Sequence, residues 1–197
     1  MGFIRTVAVA LGLLTLASES GLAQQWAVST NLADYAALAT LNLDVSAAVH
    51  RNFSVGASVD YNPFTWNQGE EKQFQLRHLD VDLAAKWWPW HVYSGWWLSA
   101  AARYRCYNFG GIVSPSTEEG DAVGMAASAG YSLMIGSHLN LDFGLGLWAG
   151  RTWYTRYACP RCGMTLEKGS RPFVLPDNLI ISLLHVTYNT HRYIIIL

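Results

Sequence analysis

The sequence predicts an all-β fold, an eight-stranded antiparallel transmembrane up-and-down barrel preceded by a cleaved signal peptide. Three observations predict it. In residues 139–150, LNLDFGLGLWAG, the residues Leu139, Leu141, Phe143, Leu145, Leu147 and Ala149 alternate with Asn140, Asp142, Gly144, Gly146, Trp148 and Gly150. Successive side chains of a strand point to opposite faces, so one face here is hydrocarbon and the other is small or polar. The composition agrees: only 14% of the 197 residues are charged, 13% are aromatic, and nine are Trp. Soluble domains carry about 25% charged residues. Finally, the connections between alternating segments are short and long by turns, as in bacterial barrels with short periplasmic turns and longer external loops.

Residues 1–23 read as a secretory signal. Arg5 charges the leading segment, and residues 6–17 form an apolar run too short to span a bilayer. Gly21-Leu22-Ala23 supplies small residues where a signal peptidase cuts. Residues 24–197 are then one barrel domain of roughly 20 residues per strand and connection. The net charge of −1 offers no electrostatic footprint for nucleic acid.

Residues 25–33 give the first strand, with Trp26, Val28, Thr30 and Leu32 on one face, and residues 34–40 a short turn. Residues 41–49 and 53–62 form a hairpin about the polar turn 50–52, with Asp44 and Asp60 on the small-residue face. After a polar loop, residues 73–88 set Leu79, Val81, Leu83, Ala85 and Trp87 against His78, Asp80, Asp82 and Lys86. Residues 95–107 place Arg103 and Arg105 opposite Trp96, Leu98 and Tyr104. After a loop at 108–121, residues 122–135 and 139–150 follow, then the longest connection, 151–176, and a closing strand, 177–188. The first connection alone breaks the short-and-long alternation. Trp87, Trp88, Trp90, Tyr93, Trp96 and Trp97 crowd one short turn, as in an interfacial girdle, and Tyr61, Phe64, Trp66, Tyr107, Phe109, Trp153, Tyr154 and Tyr157 mark the other rim. No apolar run after the signal is long enough for a membrane helix. A lipocalin-like soluble barrel would need a solvated second face, and this one has almost no Lys or Glu.

Residues 27–66 resemble the opening of a family of uncharacterised small outer-membrane barrels, a domain of unknown function common in Gram-negative gut anaerobes. The matching positions are Thr30-Asn31-Leu32, Asp34, Ala36, Asn42-Leu43, Ser54-Val55-Gly56-Ala57 and Trp66. Residues 129–150 and 176–188 resemble its later strands. The resemblance implies an OmpA-like eight-stranded barrel in the outer membrane and brings no activity. Barrels of this kind often close on a terminal aromatic, whereas this chain continues past Tyr188 through residues 189–197.

The candidate site residues fall into three groups. Asp44, Asp60, Asp80, Asp82, Asp142, Lys86, Arg103 and Arg105 share the inward parity and predict a salt-bridged interior, Arg103 and Arg105 facing Asp80 and Asp82. Cys159 and Cys162 form a CxxC, half the ligands of a structural zinc site. In an oxidising compartment a disulfide comes first, either within the CxxC or from Cys106 to the loop; free thiols and metal binding stay open. Trp153, Tyr154, Tyr157 and Arg161 are candidates for recognition by an external loop. His185 and Thr187 give only a hint of lipid-modifying chemistry, since no orienting acid accompanies them. The expectation is therefore a structural, anchoring or surface-binding outer-membrane protein of a Gram-negative bacterium, with no catalytic residue, metal or cofactor. Its expected partners are outer-membrane lipid and lipopolysaccharide, the barrel insertion machinery and a surface-structure protein. The alternatives are a lipid-modifying hydrolase, a narrow pore and a periplasmic lipocalin-like binding protein.

Overall fold

The computed structural model describes residues 25–36, 39–67, 73–111, 115–159, 163–177 and 179–188. The predicted signal segment, Gln24 and residues 189–197 lie outside them. The chain runs through β1 (Gln25–Asn31), a helical turn α1 (Leu32–Ala36), β2 (Leu41–His50), β3 (Phe53–Asn62), the two-residue β4 (Thr65–Trp66) and β5 (Phe74–Trp87). It continues through β6 (Gly95–Gly110), β7 (Thr117–Met134), β8 (Leu139–Tyr157), β9 (Thr165–Pro176) and β10 (Ile180–Tyr188). All pairings are antiparallel. β1, β2, β3, β5, β6, β7, β8 and β10 form a closed ring, β10 returning to β1. The lower part of β8 pairs with β10 and its upper part with β9, so β9 and β10 follow one another along one neighbour with a break after Pro176, where Asp177 stands.

The alternation read from the sequence sets the two faces of this ring. Leu43, Leu83, Leu98, Met125, Leu145 and Leu147 point outward and are more than half exposed. Ser54, Asp80, Asp82, Ser132 and Asp142 point inward and are buried. Ala84, Ala101, Ala126 and Trp148 form one inward row by register, in which three small residues make room for one indole.

Of the six aromatics predicted as one girdle, three are inside. Trp88, Tyr93 and Trp97 are buried with Ala27, Val92, Leu184 and Val186, closing the lower end with a hydrocarbon plug. Trp87, Trp90 and Trp96 point outward. The turn between β5 and β6 folds into the ring because its polar groups find partners there. The Val92 N–H donates to the Arg51 carbonyl and Asn52 Nδ2 to the Trp88 carbonyl. Asn140 Nδ2 donates to the Tyr93 carbonyl at 2.5 Å. Tyr93 accepts a φ of +62° to make this inversion.

Other boundaries differ for identifiable reasons. The first strand ends at Asn31, where Leu32–Ala36 turns helical and tucks Asp34 inward. The loops predicted at 108–121 and 151–176 are largely strand: β6, β7, β8 and β9 extend past the apolar belt as paired strands. Both faces are polar or aromatic there, so hydrophobic alternation fades while pairing continues.

Glycines make room for the plug. A Cβ on Gly130 would lie 2.1 Å from the Phe143 carbonyl oxygen and 2.3 Å from the Trp97 ring, whereas one on Gly136 meets nothing within 4 Å. Gly130→Ala is expected to destabilise the fold by about 1–3 kcal/mol. Gly136→Ala should stay within about 0.5 kcal/mol of the parent. Urea unfolding followed by tryptophan fluorescence checks both.

Candidate functional site

The interior ion pairs follow from register. Asp80 faces Arg105 and Asp82 faces Arg103 across β5 and β6. Arg103 Nε donates to Asp82 Oδ1 at 2.8 Å and Nη2 to Oδ2 at 2.6 Å. Its Nη1 donates to Asp177 Oδ1 at 2.5 Å. Arg105 grips Asp80 with two hydrogen bonds, one of them Nε to Oδ1 at 2.7 Å. Both guanidinium groups lie over the Trp148 ring, at 5.4 and 4.5 Å from its centroid. Asp177 stands in the break between β9 and β10, so Arg103 ties that break to β6. Its role was missed because the sequence reading placed it only at the start of the closing strand.

The predicted network is smaller than the set of inward charges. No ion pair among the described residues joins Asp44, Asp60, Asp142 or Lys86. Ser29 donates to Asp44 at 3.1 Å, and Lys86 Nζ lies 5.0 Å from the Trp97 ring centroid. One oxygen of the buried Asp142 has no hydrogen-bond partner among the described residues. The reason is again register: Lys86 lies opposite Ser54 and Ser99, not a carboxylate. Asp34, Asp44, Asp60 and Lys86 line a central cavity of about 120 Å³. α1 overhangs it, anchored by Asn31, whose amide donates to Asp34 at 2.9 Å and whose Oδ1 accepts the Ile181 N–H at 2.9 Å.

Above the belt the inward face continues as a second network. Glu118 accepts from Arg156 at 2.9 Å, Arg171 at 2.7 Å and Tyr107 at 3.0 Å. Tyr154 donates to Glu167 at 2.7 Å, and Arg171 stacks 4.5 Å from the Tyr154 centroid. Burial pushes the Tyr107 phenol up, and the Glu167 hydrogen bond does the same for Tyr154.

The outward face of the same strands carries a cavity of about 850 Å³. It lies between two rows set by register. The lower row is Tyr61, Leu79, Cys106, Asp121, Trp153 and Ser170. The upper row contains Arg77, Asn108, Glu119, Thr155 and Lys168. The predicted recognition residues are thus separated by the pleat. Trp153 lines this outer trough, Tyr157 shares its face and donates to Glu119 at 2.6 Å, and Tyr154 points inside. All three are in strand β8 rather than a loop, and Arg161 lies outside the described residues.

Cys106 is a free, exposed thiol, so it makes no bridge to the upper hairpin. Cys159 is disulfide-bonded. Cys162 lies outside the described residues. No group of three or more His, Cys, Asp or Glu suited to a metal ion occurs among the described residues. His185 faces outward with its ring stacked 6.2 Å from His138, and no carboxylate is hydrogen-bonded to it among the described residues.

Fold and site define a class: an antiparallel ring, apolar outside and charged inside, carried upward at one side as a polar wall. The chain belongs to the family described as a protein of unknown function (DUF3575), whose model matches residues 7–187. No curated protein matches it.

Two outcomes follow. Arg103→Ala leaves two buried carboxylates without their cation, and should cost about 3–5 kcal/mol in urea unfolding. Adding Asp82→Asn and Asp177→Asn should recover part of that loss. Burial and then Asp121 hold the Cys106 thiol above its ordinary pKa. Its alkylation should therefore be slow at neutral pH and rise with pH beyond the usual thiol midpoint. Asp121→Asn should bring the midpoint down and speed the reaction at neutral pH, as read by maleimide mass shifts.

Proposed function

We propose that this protein is a barrel of a Gram-negative outer membrane, reached by way of its signal peptide, that holds a binding wall above the lipid. The observation that carries the reading is the inverted burial. A band of exposed apolar side chains, large residues with alanines between them, covers the outer face, while buried aspartates and Arg103 lie in the interior. β2 and β3 have ten residues each, and a transmembrane strand needs about 9–11. A solvent-facing ring would reverse this arrangement, because exposed apolar area costs about 25 cal/mol per Å².

The binding role rests on the upper ends of β6, β7, β8 and β9. They project past the band as paired strands bearing Trp153, Tyr157 and Lys168 on the outer face, with Arg77 of β5 beside them. The pore reading is weaker, because Trp88, Tyr93 and Trp97 close the lower end and Arg103, Arg105 and Trp148 fill the middle. The hydrolase reading has only an outward His185 stacked on another imidazole.

Single cysteines placed at Met164 in the upper hairpin and Trp90 in the lower turn test the reading, with the native cysteines replaced by serine. Impermeant maleimide should label Met164→Cys in intact cells, and Trp90→Cys only after the outer membrane is opened. The unboiled protein should also migrate faster on a gel than the boiled one. A soluble fraction with no mobility shift overturns the reading.

A further inference from the structure

We propose that the trough on the outer wall binds the phosphorylated saccharide headgroup of a lipid in the outer leaflet; the assignment rests on the membrane reading above. The trough lies at the upper edge of the apolar band, where Tyr61 ends the spanning part of β3. Below it run the outward rows of Val81, Tyr104 and Val123, then Leu83, Ala102, Met125 and Ala149. A headgroup whose chains lie along the band reaches the trough without leaving the membrane surface.

Charge favours an anion. Arg77 and Lys168 stand at opposite ends of the upper row, both exposed and neither in an ion pair or hydrogen bond among the described residues. Arg151 reaches up from the band to Ser170 at 3.4 Å. The two acids between them are already engaged by phenols. Tyr157 donates to Glu119 at 2.6 Å and Tyr104 to Asp121 at 2.5 Å. The phenols leave these acids their charge, but Arg77, Lys168 and Arg151 outnumber them, and phosphate takes charge-assisted hydrogen bonds from both Arg and Lys.

Length and polarity favour a sugar over a simple phospholipid headgroup. The trough crosses six strands, β3, β5, β6, β7, β8 and β9, about 24 Å at ~4.8 Å per strand. One phosphodiester would occupy a small part of that. Asn108, Thr155 and Ser170 offer amide and hydroxyl partners along it. Tyr61 and Trp153, both about half exposed, offer apolar ring faces on which a pyranose can rest.

The test uses the full mature chain in phosphatidylcholine vesicles doped in turn with a bis-phosphorylated diglucosamine lipid, phosphatidylglycerol or a neutral digalactosyl lipid. Retained lipid is counted by native mass spectrometry after mild extraction. The parent should retain the phosphorylated diglucosamine lipid in preference to both others. The double variant Arg77→Gln, Lys168→Gln should lose that retention about tenfold. Trp153→Ala should narrow the preference over phosphatidylglycerol. All variants should keep the parent's gel-mobility shift, which excludes misfolding as the cause. Equal retention of phosphatidylglycerol or of the digalactosyl lipid by the parent overturns the proposal, as does undiminished retention by the double variant. If the chain inserts normally and the variants change nothing, the trough assignment fails alone. If it stays out of vesicles altogether, the membrane reading fails with it.

Discussion

Eight strands enclose an interior barely wider than the side chains that point into it. The rest of the structure depends on how that space is filled. With the large apolar residues outside, no hydrocarbon remains for most of the core. In the middle of the ring the chain fills it with small residues, the Trp148 indole and ionic groups that must solvate one another. Arg103 satisfies two carboxylates at once, and one of them, Asp177, interrupts the strand that closes the ring. Closure and core chemistry are therefore one event: the break between β9 and β10 is held by the cation that neutralises β5.

The lower end solves a different problem. Near the plug, Gly130 and Gly144 leave space for the Trp97 ring, and Trp88 packs edge-on against Tyr93. Trp88 Nε1 donates to Ser54 at 3.0 Å, so this indole is buried without an orphaned donor. A turn rich in Trp thus serves two surfaces, Trp87, Trp90 and Trp96 outside and Trp88 and Trp97 within. Parity alone separates the two on the strands. Within the turn, where parity is lost, only the hydrogen bonds of the inverted backbone decide.

That division explains what could be read in the sequence. Where one face is apolar and the other small, as in residues 53–62 and 139–150, period two is unmistakable; the hairpin of β2 and β3 and the pairing of Asp80 and Asp82 with the arginines follow from it. Past the band both faces are polar, and residues 151–157 and 165–176 lose the contrast that marks a strand. The outer trough was invisible for the same reason. Arg77, Asn108, Glu119, Thr155 and Lys168 are far apart in sequence, and only the register aligns them. A usable signal was present: the parity of Leu79, Tyr104 and Val123 extends unbroken to Arg77, Asn108 and Glu119. Asp177 carried no such mark, since a residue at a strand break has no parity.

The two sides of the interior meet the cost of buried charge by different means. On the β5 and β6 side, each carboxylate has a guanidinium in register and each guanidinium has the Trp148 ring beneath it. On the β1, β2 and β3 side, Asp44 and Asp60 have no cation in register; they share the central polar cavity of about 120 Å³ with Lys86, Asp82, Arg103 and Asp177. A cavity of that size accommodates several waters, each able to make about three hydrogen bonds. Filling the cavity with hydrocarbon would strand Asp44 and Asp60, and emptying the other side of arginine would strand Asp80, Asp82 and Asp177.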